Sequence, residues 1–533
     1  MSKSFKSLLA VLSCTVLLTT GTIDASSSSS SASSPPHILF IVADDLGYND
    51  ISLHGSPQIP TPNIDSLAQD GVTLGRFYAN PVCSPTRTSL LSGRSTCHTG
   101  IYMPFLDGTP YQLSANFTLL PQYLKSCCNY STHIVGKWHL GFSNYANLPL
   151  SRGFDSHLGY WNGAEDYVQH YVAGAYDFNA NLRIATEYNN TFSTHVFADE
   201  AVNIINSFGP NGNHSTQPMF LYLAFQSVHW PLEAPQNYLD RFKNTTGNST
   251  ERQAVCAMAA FLDDAIGNVT AALKQNNMWD NTLIIFQSDN GGPTHLDEGT
   301  SSNNYPLRGG KNTIWEGGTR VDAIIRGAGI QKTNYINTEY VHVTDWLPTL
   351  VSMASGTNWT NFIPPNEPPY QYGDGMDVWS TLSTGAPSPR DWVLLETHPT
   401  GATDRVHGDG LIYQDWKLIK WNNTMPQVEN GWFPPPGQDP SKVDYLVKCN
   451  GIQPSKVDPT ECNKDWCLFN ITADPCEYNN VASDHPNIVK QLINMLEPFQ
   501  ATAVPPVAPS ECKPIQVPIP NDPGNVAWQP GCP

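Results

Sequence analysis

Cys83 has the neighbours best suited to chemistry in this chain, because a proline follows two residues later and Arg87 four residues later. A guanidinium pairs well with tetrahedral oxyanions, so the thiol could be the precursor of a nucleophile held near an anion site. The other interpretation is half of a structural disulfide, the usual role of cysteine in a secreted chain. The local sequence favours neither interpretation over the other.

The cysteine count bears on this choice. The chain has 12 cysteines, and Cys14 lies in a segment that we expect to be removed, which leaves 11. An odd number predicts one thiol outside any disulfide, and that thiol could be Cys83 or another cysteine. If it is Cys83, ten cysteines can pair in a connectivity that the sequence does not specify: Cys97, Cys127, Cys128, Cys256, Cys449, Cys462, Cys467, Cys476, Cys512 and Cys532.

Acidic and amide side chains follow two apolar runs. Asp44 and Asp45 follow the first run, and Asp289 and Asn290 follow a later one. Four oxygen-bearing side chains at two strand ends predict a site for a hard cation such as Ca²⁺ or Mg²⁺. Capping of loops and helix starts is the alternative for either pair alone. We favour the metal site because both pairs accompany the Cys83 motif.

Short apolar runs predict the strands that position these side chains. Between them, Gln253 to Leu273 repeats apolar residues at helical spacing. Alternating strands and helices indicate an α/β sheet covered on both faces, in which ligands collect beyond the carboxyl ends of the strands. The predicted strands are His37–Ala43, 132–135, 219–225 and 283–286.

The pattern changes after residue 385. Residues 410–421 alternate like an antiparallel hairpin, and residues 487–499 repeat like an amphipathic helix. At least five cysteines lie beyond residue 445. We therefore expect a catalytic domain at 37–385 and a smaller, disulfide-braced α+β domain with an antiparallel sheet and a proline-rich tail at 386–533.

The N-terminal segment predicts entry into the secretory pathway. Lys3 and Lys6 precede an apolar run from Leu8 to Leu18, so residues 1–25 read as a signal peptide and residues 26–36 as a flexible, serine-rich leader. No later segment reads as long and apolar enough to cross a membrane, and we expect no stable membrane insertion. Ten glycosylation sequons begin at Asn116, Asn129, Asn189, Asn213, Asn244, Asn248, Asn268, Asn358, Asn422 and Asn470.

The overall charge limits the partners. The chain has 47 acidic and 28 basic residues, a net charge of −19, which argues against nucleic acid as a partner. An anionic substrate would need a local cluster of cations in this acidic protein.

With the trailing residues Leu90 to Arg94, the Cys83 motif resembles the signature of the type I sulfatases, with Ser92 where the family usually has threonine. The resemblance implies the α/β fold of the alkaline phosphatase superfamily, with a large, mostly parallel sheet covered by helices. It also implies that a formylglycine-generating enzyme oxidises Cys83 to formylglycine (3-oxoalanine), the catalytic aldehyde. This group would share one ion, Ca²⁺, with the acidic residues.

Three other segments resemble the sulfate-handling residues of that family. The resemblance assigns Lys137 and Lys311 to the sulfate oxygens, and His229 both to binding and to protonation of the departing alcohol. It assigns His139 to deprotonation of the second hydroxyl of the formylglycine hydrate, a step that expels sulfate and restores the aldehyde. Arg87 would steady the hydrate and the ion. Any one of these histidines or lysines alone would more often be structural or solvated.

Within the family, segments such as Gly163 to Tyr167 and Gln226 to Leu232 resemble arylsulfatase B and arylsulfatases I and J. The resemblance implies a sulfated glycan substrate, the N-acetylgalactosamine 4-sulfate at the ends of dermatan and chondroitin sulfate, and activity on aryl sulfates. It implies a lysosomal enzyme, with secretion as the alternative.

Two other functions remain open on the sequence. A phosphatase or phosphodiesterase of the same superfamily would use serine or threonine as nucleophile and typically more than one metal ion. A non-catalytic glycan-binding relative would lack one or more of the six residues that carry the chemistry. All six are present: Cys83, Arg87, Lys137, His139, His229 and Lys311.

Overall fold

The computed structural model describes residues 35–247, 249–294, 301–371, 374–403, 407–421, 461–463, 465–520 and 522–532. The described strands are β1 (His37–Ala43), β2 (Val72–Leu74), β3 (Phe77–Tyr78), β4 (Ser131–Gly136), β5 (Ser156–Gly159), β6 (Tyr171–Val172), β7 (Ala175–Tyr176), β8 (Asn179–Ala180), β9 (Arg183–Ile184), β10 (Met219–Ala224), β11 (Thr282–Ser288), β12 (Ala323–Gly327), β13 (Tyr335–Asn337), β14 (Val341–His342), β15 (Trp392–Glu396), β16 (Asp409–Tyr413), β17 (Trp416–Lys420), β18 (Cys467–Asn470), β19 (Ile515–Ile519) and β20 (Asp522–Gln529).

The α-helices among the described residues vary from one turn to seven turns. They are α1 (Pro62–Gln69), α2 (Cys83–Ser92), α3 (Thr96–Thr99), α4 (Leu120–Cys128), α5 (Ser193–Phe208), α6 (Gln236–Phe242), α7 (Thr250–Gln275), α8 (Glu316–Thr319), α9 (Trp346–Ser355), α10 (Trp379–Thr384) and α11 (Pro486–Thr502).

Ten strands form the main sheet, in the order β13-β2-β12-β11-β1-β10-β4-β5-β8-β9. The five central strands, from β11 to β5, all run parallel, and antiparallel pairs flank them on both sides. Five of the nine strand pairs are parallel. The predicted α/β sheet, mostly parallel, is therefore confirmed, and all four predicted strands lie in its centre.

The central strands are apolar along their whole length because both faces of the sheet are covered. Alternate residues of β1 enter two separate cores: Leu39 and Ile41 pack with α5 and α7, whereas Phe40 and Val42 pack with α4 and α9. Burial on both faces leaves the polar side chains at the carboxyl ends of these strands, where they form one group.

Helix α7 corrects one expectation from the sequence. It is long and apolar enough, by length and composition, to cross a membrane, but most of its apolar stretch is buried inside the protein. The apolar residues of α7 that gave the helical spacing pack against the sheet and α5. By its packing, α7 is a core helix.

A smaller sheet follows the main one along the chain, in the order β15-β16-β17-β18, and every neighbouring pair in it is antiparallel. The hairpin β16–β17 and helix α11 confirm the two elements that the sequence indicated. Leu492, Leu496 and Phe499 of α11 pack on one face of this sheet. The domain boundary near residue 385 stays a prediction.

Buried charges join the smaller sheet to the main one. Lys417 on β17 lies 3.0 Å from Glu316 of α8 and 2.7 Å from Glu477, measured from Nζ to the carboxylate oxygens, and all three side chains are fully buried. Glu477 also accepts the backbone N–H of Glu316 at 2.9 Å, and its carbonyl accepts a hydrogen bond from Arg308 at 3.1 Å. The ion triad thereby fixes the loop that leads from Arg308 to α8.

We expect Lys417→Met to destabilise the protein by about 3–5 kcal/mol, because it leaves two buried carboxylates without their cation. Urea unfolding followed by tryptophan fluorescence measures the change. Lys420→Met, a partly exposed lysine on the same strand, is the matched control and should cost about 0.5 kcal/mol or less. Equal midpoints for the two variants would contradict the structural role of the triad.

The structure has more free thiols than the cysteine count predicted. Disulfides join Cys127 to Cys128, Cys462 to Cys467 and Cys512 to Cys532, and Cys476 is also disulfide-bonded. Among the described residues three thiols are free rather than one: Cys83, Cys97 and Cys256. Cys97 and Cys256, two of the ten cysteines that could have formed disulfides, form none: each lies in a separate apolar core, where cysteine behaves as a small hydrophobe. Cys14 and Cys449 lie outside the described residues.

Candidate active site

The carboxyl ends of β1 and β11 bring the predicted acidic residues together. These strands are parallel neighbours, and the backbone N–H of Asp289 donates to the carbonyl of Ala43 at 3.0 Å. The backbone N–H of Asp45 in turn donates to Oδ1 of Asp289 at 3.2 Å, and Nδ2 of Asn290 donates to Oδ1 of Asp45 at 2.7 Å. All of these side chains are fully buried.

Cys83 is the first residue of α2, after an extended residue, Val82. Its Sγ lies 3.4 Å from Oδ1 of Asp44 and 4.0 Å from Oδ1 of Asp45. Burial raises the pKa of the thiol well above its usual range, and the Asp289 carboxylate raises it further. Cys83 is therefore protonated beside these carboxylates and does not act as a ready-made thiolate.

Three permanent cations face the three carboxylates. Arg87 donates from both Nε and Nη2 to one carboxylate oxygen, Oδ2 of Asp289, at 3.1 and 2.8 Å. Nζ of Lys137 lies 2.6 Å from Oδ2 of Asp44. The remaining pair joins Nζ of Lys311 to Oδ2 of Asp45 at 2.8 Å.

These pairs set the charges of the site. Burial by itself would raise the pKa of Asp45, but Lys311 and His229 hold it below its usual range. Burial and the neighbouring Asp44 raise the pKa of Asp289 to about 6. For Lys137, burial lowers the pKa, but Asp44, Cys83 and Asp289 together raise it above its usual value, so this lysine keeps its charge.

His139 is arranged as a base. Its Nε2–H donates to the carbonyl of Phe105 at 2.8 Å, which leaves Nδ1 with the lone pair of the neutral ring. Nδ1 is buried and has no hydrogen-bond partner within the described protein. Burial and the nearby Lys137 charge lower the pKa of His139 well below its usual range. The neutral imidazole can therefore accept a proton at Nδ1.

His229 is held on three sides. Its Nδ1–H donates to the carbonyl of Trp230 at 2.6 Å, and its own carbonyl accepts a hydrogen bond from the Tyr167 hydroxyl at 2.9 Å. Its Nε2 lies 3.3 Å from Nζ of Lys311 and 3.6 Å from Oδ2 of Asp45. In this position Nε2 can carry a proton between the Asp45–Lys311 pair and a bound molecule.

Strained backbone supports this arrangement. Asp45 and His139 adopt φ values of 62° and 55°, in the left-handed region that non-glycine residues seldom occupy. Such residues cost about 1–3 kcal/mol each and cluster at functional sites. Gly136, before Lys137, is required for a separate reason: a Cβ there would lie 1.9 Å from the carbonyl oxygen of Ala224 on the neighbouring strand.

The donor set fits a divalent cation. One ligand atom each from Asp44, Asp45, Cys83 and His229 lie within 4.8 Å of one another, and carboxylate oxygens are the ligands that Ca²⁺ and Mg²⁺ prefer. Oδ1 of Asn290 is buried and has no hydrogen-bond partner in the described structure, although buried amide oxygens are nearly always paired. A cation would satisfy this oxygen and offset the repulsion among the carboxylates.

The predicted site residues thus meet in one place, with two differences in detail. His229, predicted to contact only substrate, also lies against the carboxylates. The Asp289 carboxylate is occupied by Arg87 on one oxygen and by a backbone N–H on the other. The sequence does not predict two supporting contacts: the carbonyl of Phe105 orients the His139 ring, and the hydroxyl of Tyr167 donates to the backbone carbonyl of His229.

A cavity of about 510 Å³ opens onto the site. This volume suits a small molecule rather than a large partner. Its lining combines reactive and apolar residues: Cys83, Pro104, Phe105, Leu106, Asp107, His139, Gly163, Ala164, His229, Trp230 and Lys311.

Comparison with known sequences gives one consistent result. A family model described as Sulfatase matches residues 36–357. Arylsulfatase J of Mus musculus is 36% identical over 490 residues, which cover 88% of this chain and 76% of that protein. N-acetylgalactosamine-6-sulfatase of Homo sapiens is 30% identical over 490 residues and 87% of each protein.

Solved structures show the same fold. The crystal structure of Ps i-CgsB in complex with k-i-k-neocarrahexaose has a TM-score of 0.70 and 25% identity, and the match covers 89% of this chain and 94% of that one. The PsFucS1 sulfatase from Pseudoalteromonas sp. has a TM-score of 0.67 and 24% identity over 88% and 90% of the two chains.

Proposed function

We propose a substrate and a mechanism for this chain, which belongs to the sulfatase family and is a sulfuric ester hydrolase. The substrate is N-acetylgalactosamine 4-sulfate at the ends of dermatan and chondroitin sulfate, and aryl sulfates are also hydrolysed. The observation that carries the mechanism is the position of Cys83, between three buried carboxylates and three buried cations at the floor of a cavity.

A modified Cys83 is the centre of the mechanism. Conversion of this thiol by a formylglycine-generating enzyme would supply a hydrated aldehyde as the nucleophile toward sulfur. Asp44, Asp45, Asp289 and Asn290 would hold one Ca²⁺ per chain, which would supply charge stabilisation to the sulfate oxygens. Arg87 fixes the Asp289 carboxylate by two hydrogen bonds to its Oδ2.

Two lysines bind the sulfate group. In the structure the site carries three carboxylates and three cations, so one added divalent ion would leave a net positive charge that matches an anionic ester. Lys311 lines the cavity and is fixed by Asp45, so it is positioned to face developing charge on the sulfate oxygens. Lys137 is fully buried against Asp44 and would act from behind this carboxylate.

The two histidines move the protons. His229, whose Nδ1 is committed to Trp230, gives a proton from Nε2 to the alcohol oxygen as the S–O bond breaks, with Lys311 beside it. His139, neutral and with a bare Nδ1, takes the proton that must leave before inorganic sulfate is released. Each histidine is oriented by the hydrogen bond of its other nitrogen.

The N-acetylgalactosamine-6-sulfatase relatives support a sugar substrate and raise a second sulfate position beside the proposed 4-sulfate. The N-acetylgalactosamine-6-sulfatase relative at 30% identity favours the 6-sulfate as a second candidate. Initial rates on N-acetylgalactosamine 4-sulfate, N-acetylgalactosamine 6-sulfate, 4-nitrophenyl sulfate and 4-nitrophenyl phosphate test both proposals. We expect the 4-sulfate to have the higher kcat/KM of the two sugars and the phosphate to be the slowest ester. Faster phosphate hydrolysis would contradict the mechanism.

We further propose that the enzyme is a lysosomal or secreted glycoprotein. Seven of the ten sequon asparagines are exposed and therefore accessible to glycosylation: Asn116, Asn129, Asn189, Asn213, Asn244, Asn268 and Asn358. Asn470 is partly exposed, and Asn248 and Asn422 lie outside the described residues. The predicted signal peptide also lies outside them.

A further inference from the structure

The side chains of Leu106, Asp107 and Trp230 line the cavity and have no part in the chemistry described above. We propose that Trp230 and Leu106 form the apolar contact surface for the sugar ring that carries the sulfate, and that Asp107 accepts a hydrogen bond from a polar group on that ring. This inference rests on the proposed function and assigns the residues that recognise the alcohol part of its substrate.

The exposure of the two apolar residues is the first observation. Leu106 is 72% exposed, more than any other large hydrophobic residue in the described part of the chain, and Trp230 at 52% is the one exposed tryptophan there. A single exposed apolar residue is ordinary. Two that share one cavity with Cys83, His139 and His229 form an apolar surface next to the reacting atoms.

Both segments are fixed to the catalytic groups through their backbones. The Trp230 carbonyl accepts the Nδ1–H of His229. The carbonyl of Phe105, next to Leu106, accepts the Nε2–H of His139, and the N–H of Phe105 donates to the hydroxyl of Ser84 at 3.2 Å. A contact surface held in this way is pre-organised, so little conformational entropy is lost when a ring binds.

Asp107 favours a sugar ring over an aromatic ring. One carboxylate oxygen accepts the N–H of Gly163 at 2.9 Å, and a carboxylate can accept several further hydrogen bonds. Burial raises the pKa of Asp107, with the Gly163 hydrogen bond acting in the opposite direction. A pyranose offers C–H groups to Trp230 and Leu106 and an O–H or N–H group to Asp107. An aryl ring offers only the apolar contact.

The cavity is large enough for a sugar ring and its sulfate. At about 510 Å³ it falls in the range of small-molecule sites, about 300–1,000 Å³.

The test separates binding of the ring from binding of sulfate. We expect Trp230→Ala to raise KM for N-acetylgalactosamine 4-sulfate about 10-fold and Leu106→Ala about 3-fold. The inhibition constant of inorganic sulfate, which reports the sulfate site alone, should change less than about 2-fold. Trp230→Phe keeps an aromatic face and should recover most of the loss. Leu182→Ala, at another exposed leucine (48%), is the control and should match wild type.

Asp107→Asn distinguishes the sugar from the aryl ester. It keeps an oxygen acceptor for Gly163 and should raise KM for the sugar sulfate about 10-fold, while KM for 4-nitrophenyl sulfate changes less than about 2-fold. Thermal melting checks that each variant is folded.

Three results would overturn the inference: an unchanged sugar KM in Trp230→Ala, an equal rise in the inhibition constant of sulfate, or an equal effect of Asp107→Asn on both esters. Wild-type enzyme that hydrolyses the 6-sulfate and not the 4-sulfate would refute the proposed sulfate position. The same variants measured on the 6-sulfate would still decide whether these residues bind the ring.

Discussion

Cys83→Ala is expected to lower kcat for aryl and sugar sulfates by at least about 10⁴-fold, the order of loss that follows removal of a catalytic nucleophile. Alanine cannot be converted to an aldehyde, and neither lysine nor histidine of the site can replace a nucleophile bound covalently to the chain. Steady-state assays with 4-nitrophenyl sulfate and N-acetylgalactosamine 4-sulfate measure the loss, and a thermal melt checks that α2 still folds.

The matched control is Cys256→Ala. Cys256 is also a buried free thiol, but it lies in α7 within the core, so its replacement should change kcat less than about 2-fold while costing some stability. Mass spectrometry of the peptide around Cys83 in the wild-type protein completes the test. The proposed mechanism predicts an aldehyde at position 83, in which the side chain has lost one sulfur and two hydrogens and gained one oxygen. A fully active protein with an intact sulfhydryl at position 83 would exclude the mechanism.

Removal of the divalent cation is expected to lower both activity and stability. Without the ion the Asp44, Asp45 and Asp289 carboxylates keep their mutual repulsion, and the ester loses one of its stabilising charges. We expect a chelator to lower kcat at least about 10²-fold, and Ca²⁺ to restore it. At a free calcium concentration of about 100 times Kd, binding should stabilise the folded protein by about 2.7 kcal/mol.

Thermal melting with chelator and with added Ca²⁺ measures this stabilisation independently of turnover. Asp45→Asn should lose the calcium-dependent shift in Tm, because it removes charge from the cation site. Asp280→Asn, whose side chain is almost fully exposed, should keep the shift. If the two variants responded to calcium alike, Asp45 would not be a ligand.

Much of the fold follows from the sequence because burial leaves a simple pattern. The run from His37 to Ala43 is apolar throughout, and it is a central strand covered on both faces. The hairpin β16–β17 is also covered on both faces: Ile412 and Ile419 pack in one core, and Leu411 and Leu418 pack in another, so its apolar residues are adjacent along the chain. The antiparallel strands on either side of the five central strands are only two to five residues long. They are too short to give a periodic signal in the sequence.

The sequence predicts which residues form the candidate site, but it does not predict the contacts between them. Asp44 and Asp289 follow apolar runs, and parallel neighbouring strands bring such residues to one edge of the sheet. The pairing of Lys137 with Asp44 and of Lys311 with Asp45 depends on loop geometry that no local pattern encodes. The same holds for the Phe105 carbonyl, which orients the His139 ring, and for the Tyr167 hydroxyl, which donates to the backbone carbonyl of His229.

The position of Glu477 has a consequence for engineering. This residue, far along the chain, binds both ends of the segment from Arg308 to Glu316, and Lys311 lies on that segment. A shortened protein that stops before Glu477 would therefore lose the contacts that hold the segment carrying Lys311, the lysine proposed to bind sulfate. Truncated proteins and domain swaps should therefore retain the chain at least to Glu477. A premature stop codon before this residue should also disturb the segment that carries Lys311.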